Sequence, residues 1–232
     1  MKYEGILKGT FIERPNRFIA LCMVNGEINK VHVKNTGRCA ELLTEGVTVY
    51  LEESNAPKRK TKYSLIAVEK GNRLINMDSQ APNQVVEEAL VRGELKLPGM
   101  EEGLTFIKRE VTYGESRFDF YIERYEKKGF IEVKGVTLEQ EDYVMFPDAP
   151  TLRGLKHVEE LIKAQEEGYE SYIIFVIQMK GVNYFKPHVE RQEAFARALQ
   201  VAERQGVKIL AYDCLVTPDH LILHEEVTVR LD

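Results

Sequence analysis

Cysteine is scarce in this 232-residue chain: three residues, at 22, 39 and 214. They are scattered and form no Cys-X-X-Cys pair, which argues against a zinc ribbon or a disulfide framework. They read as ordinary thiols of a protein in a reducing cytoplasm. Long apolar runs are absent too. Nothing approaches the roughly 18 residues of a membrane helix, so no membrane partner is expected. The opening Met1-Lys2-Tyr3-Glu4 lacks the apolar core of a signal peptide. No P-loop, no His-Glu-X-X-His and no glycine-rich dinucleotide fingerprint occurs, which removes several common enzyme classes and leaves a sugar-metabolism enzyme without support. A serine hydrolase lacks its Gly-X-Ser-X-Gly turn. There is no internal repeat and no long low-complexity stretch.

What remains is a soluble, globular composition, with 44% hydrophobic and 30% charged residues. The length allows one large domain or two modest ones. The net charge of −5 conceals an asymmetry. Residues 1–80 carry 13 Lys and Arg against 9 Asp and Glu, a balance of +4, and the remainder carries 19 against 28, a balance of −9. A basic binding module joined to a catalytic module whose carboxylates hold metal would have this distribution.

The front module, residues 1–80, offers five strand-like segments: Tyr3–Phe11, Arg17–Val24, Ile28–Val33, Val47–Glu52 and Tyr63–Glu69. Asn25-Gly26 predicts a type I′ hairpin, which needs positive φ at both central residues. Ala40 to Leu43 has helical propensity, with Gly46 to end it. Five strands with a short helix between the third and fourth is the order of an OB-fold, a small barrel that binds oligonucleotides on one face. Its two flanking loops carry basic residues: Arg14 and Arg17 in one, Lys58, Arg59, Lys60 and Lys62 in the other. These can neutralise phosphates without reading sequence. Phe11, Phe18 and Tyr63 are candidates to stack on bases.

The back module, residues 81–232, reads as α/β. Asn83 is a candidate N-cap for a helix over Gln84–Leu95, with Val85, Val86, Ala89 and Leu90 on one face. Strands are predicted over Leu104–Thr112, Arg117–Glu123 and Phe130–Val136, with a helix over Leu152–Gln165. The apolar run Tyr172–Ile177 predicts a buried central strand of a mixed sheet. A helix over Arg191–Gln205 and a strand over Val207–Tyr212 follow. Alternation in Arg117–Glu123 puts Phe118, Phe120 and Ile122 on one side and Asp119 on the other.

The strand Phe130–Val136 has a charged interruption, Ile131-Glu132-Val133-Lys134, and Asp119 lies thirteen residues upstream of Glu132. Glu132 and Lys134 share a face, about 7 Å apart. Burying such charges is costly unless they are paired or hold a metal. The spacing resembles that of the metal site in PD-(D/E)xK nucleases. In that chemistry Asp119, Glu132 and the Val133 carbonyl hold Mg²⁺ or Mn²⁺, a hard cation that takes oxygen ligands. Lys134 orients the attacking water and balances developing charge. Glu88, on the preceding helix, is a candidate outer or second-metal ligand. Further on, Arg153, Lys156 and His157 share a helical face near a helix start, where positive side chains oppose the dipole; an anion such as a backbone phosphate would compensate. Gln178 is a candidate for bonding substrate or a ligand water.

Over nearly its whole length the chain resembles the sugar fermentation stimulation protein A family. The resemblance rests on Glu13-Arg14-Pro15-Asn16-Arg17-Phe18, Asn35-Thr36-Gly37-Arg38, Arg59-Lys60-Thr61, Tyr113 through Phe120, Glu132-Val133-Lys134 and Phe146 through His157. It implies an OB-like N-terminal domain, a PD-(D/E)xK-like C-terminal domain, non-specific DNA binding in which Arg38 joins the basic residues, and a nuclease triad of Asp119, Glu132 and Lys134. Phe118 stands where a proline often precedes the Asp, a change of backbone shape and not of ligation. Gly135 follows the Lys where a small polar residue is expected. The leading expectation is a DNA-binding, metal-dependent nuclease, a hydrolase of phosphodiesters. The alternative is a non-catalytic, non-specific DNA-binding or regulatory protein linked to sugar metabolism. Nothing in the residues separates DNA from RNA. A homodimer would suit a nuclease that must reach two strands.

Overall fold

The computed structural model describes residues 1–35, 37–54 and 59–232. Six strands come first: β1 (Ile6–Asn16), β2 (Ile19–Val24), β3 (Glu27–Val33), β4 (Thr48–Glu53), β5 (Tyr63–Lys70) and β6 (Arg73–Asn76). Asn25 and Gly26 both take positive φ, 52° and 83°, as a type I′ turn demands, and they join β2 to β3. The sheet runs β3-β2-β1-β4-β5-β6, and a parallel pairing of β3 with β5 closes the first five strands into a barrel. Register shifts in β1 after Phe11 and Glu13 bend that strand so that it can pair with both β2 and β4. This is the expected OB-like barrel. The expected helix at Ala40–Leu43 is only a turn, held by Leu42 and Leu43 N–H groups donating to the Cys39 carbonyl. Two apolar leucines, both buried, fix the segment by packing, and no helix is needed to bury them.

The second part contains α1 (Ala81–Arg92), β7 (Phe106–Tyr113), β8 (Ser116–Arg124), β9 (Lys127–Val136), β10 (Leu138–Gln140), β11 (Tyr143–Phe146), α2 (Leu152–Glu166), β12 (Glu170–Ile177), β13 (Tyr184–Pro187), α3 (Glu193–Arg204), β14 (Lys208–Val216), β15 (Leu221–Glu226) and β16 (Thr228–Val229). The main sheet is mixed, in the order β15-β14-β12-β9-β8-β7. β12 lies between β9 and β14 and is parallel to both, which explains why every residue from Ser171 to Ile177 is buried. Ile173, Phe175 and Ile177 pack towards α2 and α3, while Tyr172, Ile174 and Val176 pack towards α1. A smaller sheet, β10-β11-β13-β16, lies beside them.

α1 starts earlier than expected. Pro82 sits in its first turn, where the missing N–H costs nothing, and Gln80 occupies the N-cap. Gly93 ends it in a left-handed conformation (φ 68°). α2 begins at Thr151, whose hydroxyl accepts the Gly154 N–H at 2.9 Å. A Cβ on Gly154 would lie 2.7 Å from the Thr151 methyl, so this close cap requires glycine.

The two parts are joined by buried polar contacts. Gln178, at the end of β12, donates to Asn76 Oδ1 (2.8 Å) and to the Asp78 carbonyl (3.0 Å), and its own carbonyl accepts the Asn76 N–H (2.9 Å). Gln178 is thus a joint between barrel and sheet, not the substrate contact expected from sequence. All three cysteines are buried and unpaired: Cys22 in the barrel, Cys39 in the turn near the joint and Cys214 in the main sheet.

Candidate active site

Asp119 lies in β8 where that strand changes face. Phe118 packs on Phe130 and His157 on the α2 side, whereas Phe120 and Ile122 pack with Ile131 on the α1 side. The simple alternation expected for this strand therefore fails at Asp119. Opposite it in β7 stands Glu110, which takes a positive φ of 52°. The β8–β9 ladder also ends at Phe120–Ile131. Beyond that pair the Asp119 carboxylate replaces it: Oδ2 accepts the Val133 N–H at 2.8 Å. Oδ1 accepts from Asn83 Nδ2 at 2.6 Å. Asn83 is thus the α1 residue that reaches the site, and not the N-cap expected from sequence.

Glu132 is 3% exposed. Its Oε1 takes hydrogen bonds from Lys134 Nζ and from His157 Nδ1. Its Oε2 is buried with no hydrogen-bond partner among the described residues. His157, itself 4% exposed, receives Arg153 Nε at its other ring nitrogen (3.4 Å). That nitrogen accepts, so the Nδ1 nitrogen carries the ring hydrogen and donates it to Glu132. The line Arg153–His157–Glu132–Lys134 runs from the solvent-exposed start of α2 into the sheet.

The two carboxylates are poised in opposite senses. Burial, reinforced by the charge of Glu132, raises the Asp119 pKa above its ordinary value, against the pull of the Val133 and Asn83 hydrogen bonds. Burial pushes Glu132 upward as well, but the His157 hydrogen bond and the Lys134 charge outweigh it and hold the group below its ordinary value. Asp119 thus binds a proton more tightly in the native than in the unfolded state. Its contribution to stability falls as pH rises from the ordinary aspartate value through the raised one. Asp119→Asn keeps the shape and removes the charge. Without divalent cations its thermal midpoint should exceed that of the parent at pH 7, and the difference should shrink below about pH 4. Calorimetry across pH checks this; a variant less stable than the parent at pH 7 contradicts it.

Glu88 does not join this cluster. It accepts from Arg92 and Gln84 and pairs with the Met1 ammonium at 2.8 Å. Five residues on from Asn83, it lies about 140° around α1 from the residue that meets Asp119. His157 also departs from expectation: as a buried partner of Glu132 it has no face for a phosphate. Nothing in the sequence distinguishes Asn83 from a helix cap, because an Asn beside a helix start serves either purpose. For His157 a signal existed: its i+4 spacing from Arg153 and its place on the apolar stripe with Val158, Leu161 and Ala164.

Two family models match in succession: the SfsA N-terminal OB domain over residues 12–77 and the sugar fermentation stimulation protein RE domain over residues 80–220. The chain belongs to the sugar fermentation stimulation protein family. It is 54% identical over 231 residues to the sugar fermentation stimulation protein homolog of Desulfitobacterium hafniense (strain DSM 10664 / DCB-2), covering 100% of this chain and 99% of the relative. The homolog of Clostridium beijerinckii is also 54% identical, with both chains fully covered. The solved structure of Pyrococcus furiosus SfsA in complex with Ca²⁺ superposes with a TM-score of 0.88 at 30% identity, covering 99% of this chain and 98% of that one.

The basic residues read from sequence divide into three groups within this family fold. Arg14 is structural. Its two terminal guanidinium nitrogens donate to the carbonyls of Gly37, Arg38, Arg17 and Asn35 at 2.6–2.8 Å and are turned into the loop, and its Nε is buried without a partner among the described residues. Lys62 and Lys156 are exposed but paired, with Glu53 and Glu115, both at 2.9 Å. Arg17, Arg38, Arg59, Lys60 and Arg153 have no carboxylate partner among the described residues; Arg59 bonds Ser64 and His32. Lys58 lies outside the described residues, as does Thr36. Of the three candidate stacking aromatics, Phe11 and Tyr63 are buried in the barrel, and Phe18 is 46% exposed. No described helix is long and apolar enough to cross a membrane.

Proposed function

We propose that this protein is a divalent-metal-dependent nuclease that binds DNA through both domains and hydrolyses its phosphodiesters. The observation that carries the reading is Glu132 Oε2, a buried carboxylate oxygen without a partner among the described residues, in the same site as the Asp119 carboxylate. An orphaned anionic oxygen at such depth is costly, and a hard cation that takes oxygen ligands would remove the cost. The donor set of Asp119, Glu132 and the Val133 carbonyl suits Mg²⁺ or Mn²⁺. The description of the Pyrococcus furiosus relative as a Ca²⁺ complex agrees with a preference for hard divalent ions.

A bound cation would supply Lewis acidity at a phosphoryl oxygen and an acidified water. The chain's own residues do the rest. His157 and Lys134 fix one oxygen of Glu132 and leave the other free. Asn83 and the Val133 N–H fix both oxygens of Asp119. The Lys134 ammonium holds the attacking water and offsets the negative charge that grows on the phosphoryl oxygens. As the water oxygen bonds to phosphorus it releases a proton to solvent, the P–O bond to the leaving strand breaks, and the leaving oxygen takes up a proton from solvent. Arg153, exposed at the start of α2, anchors a flanking phosphate.

The test uses labelled single- and double-stranded DNA and RNA with Mg²⁺, Mn²⁺ or EDTA, beside Glu132→Ala. Metal-dependent cleavage lost in the variant is the expected result. Binding without cleavage in every metal would leave the second reading, a non-catalytic DNA-binding protein. That reading is favoured by the barrel cations Arg17, Arg38, Arg59 and Lys60, which have no carboxylate partner among the described residues.

A further inference from the structure

We propose that the barrel carries a stacking niche for an unpaired nucleobase, built around Phe18, and that the preferred ligand is therefore single-stranded nucleic acid. This rests on the nucleic-acid-binding reading above and names the form of the ligand.

Phe18 begins the run into β2. Asn16 Oδ1 accepts the N–H groups of both Phe18 and Ile19, at 2.9 and 3.1 Å, and the Phe18 carbonyl accepts the Val33 N–H at 2.8 Å. The backbone is pinned while the residue stays 46% exposed. Phe18 lines a cavity of about 320 Å³ with His32, Val33, Lys34, Arg59 and Gln80. Arg17 lies over the ring, 4.9 Å from its centroid.

The polar walls match a base and its phosphate. Arg59 contacts His32 Nδ1 at 3.3 Å, which leaves the His32 Nε2–H as a donor. Burial, with the nearby charges of Arg59 and Lys34, lowers the His32 pKa and keeps the ring neutral. Lys34 is balanced by Asp78 (2.8 Å) and Glu52 (3.7 Å), but Arg17 and Arg59 are not balanced by any described carboxylate. An apolar ring set among uncompensated cations suits a ligand with a flat π face and a negative backbone. A duplex hides its base faces in the stack, so only an unpaired base can use the ring.

The niche is held in register with the candidate active site. The Lys34–Asp78 pair and the Ser79 hydroxyl on the Lys34 carbonyl tie β3 to the segment between the domains. Gln80, in the niche wall, occupies the N-cap position of α1, and Asn83 on Asp119 is about 4.5 Å further along that helix. A strand with one base on Phe18 is led along the start of α1 towards Asp119.

The chain contains no tryptophan, so Phe18→Trp creates a single indole reporter. Fluorescence anisotropy in EDTA, where no cleavage occurs, measures binding of labelled single strands and duplexes. Phe18→Ala should weaken single-strand binding about 5- to 150-fold, with the salt slope unchanged because no charge is lost. Phe18→Trp should restore affinity, and its emission should be quenched by the single strand and not by duplex. Undiminished single-strand binding by Phe18→Ala, or an indole unmoved by bound oligonucleotide, overturns the niche while leaving the nuclease reading intact. Failure to bind any nucleic acid overturns both.

Discussion

Lys134→Met should lower the rate of metal-dependent cleavage by about 10²–10³-fold, the usual consequence of removing one preorganised charge donor. Methionine keeps the length and packing of the stem and removes only the ammonium. Glu132 retains its His157 hydrogen bond, so the cation site should survive. Binding and chemistry can then be separated in one experiment. Added Mn²⁺ should raise the thermal midpoints of Lys134→Met and of the parent alike, since a ligand that binds only the native state stabilises it. Asp119→Ala should lose both the cleavage and the metal-induced rise. Cleavage by Lys134→Met at the parent rate would reduce Lys134 to one half of a buried ion pair.

Arg14→Ala should destabilise the protein by about 2–4 kcal/mol, since one cationic fork bonds four carbonyls and its loss leaves the two part-buried ones, of Gly37 and Asn35, unpaired. For a chain of this size that corresponds to a fall of about 5–15 °C in thermal midpoint. Arg14→Lys should recover only a fraction, because an ammonium has three donors and no planar fork. The same substitution separates a structural from a phosphate-binding role. A direct phosphate contact would appear as a salt dependence shallower by about one unit, whereas a loop brace should change stability first.

Both predictions concern residues singled out from sequence: Lys134 lies beside Glu132 as expected, and Arg14 is turned into a loop instead of towards phosphate. The spacing of Asp119, Glu132 and Lys134 is legible because charged residues inside an apolar strand have few reasons to exist. Asn25-Gly26 is legible because positive φ at two successive residues restricts the choice. Tyr172–Ile177 is legible because only a strand covered on both faces tolerates so unbroken an apolar run. The face change at Asp119 is not legible. It depends on the ladder ending between β8 and β9, a tertiary event with no local signature. Arg14 fails for a related reason: a guanidinium in a loop reads as a phosphate ligand until the carbonyls that surround it are known. Strands β13 and β16 are four and two residues long and are held by neighbours remote in sequence, so pattern alone does not reveal them. Glu88 and Asn83 differ by little more than a turn of α1, and periodicity without a partner does not say which of the two meets Asp119.

The three buried cysteines give this protein a built-in set of clocks. Burial pushes the thiols of Cys22, Cys39 and Cys214 upward, so each is nearly inert towards alkylation while its surroundings stay closed. One thiol reports the barrel, one the turn near the joint and one the main sheet. In pulsed alkylation under native conditions, simultaneous labelling of all three would mark a single cooperative unit. Earlier labelling of Cys22 and Cys39 would mark a barrel that opens while the main sheet stays folded. Because Asp119 and Glu132 belong to that sheet, a divalent cation should slow the Cys214 clock more than the Cys22 clock.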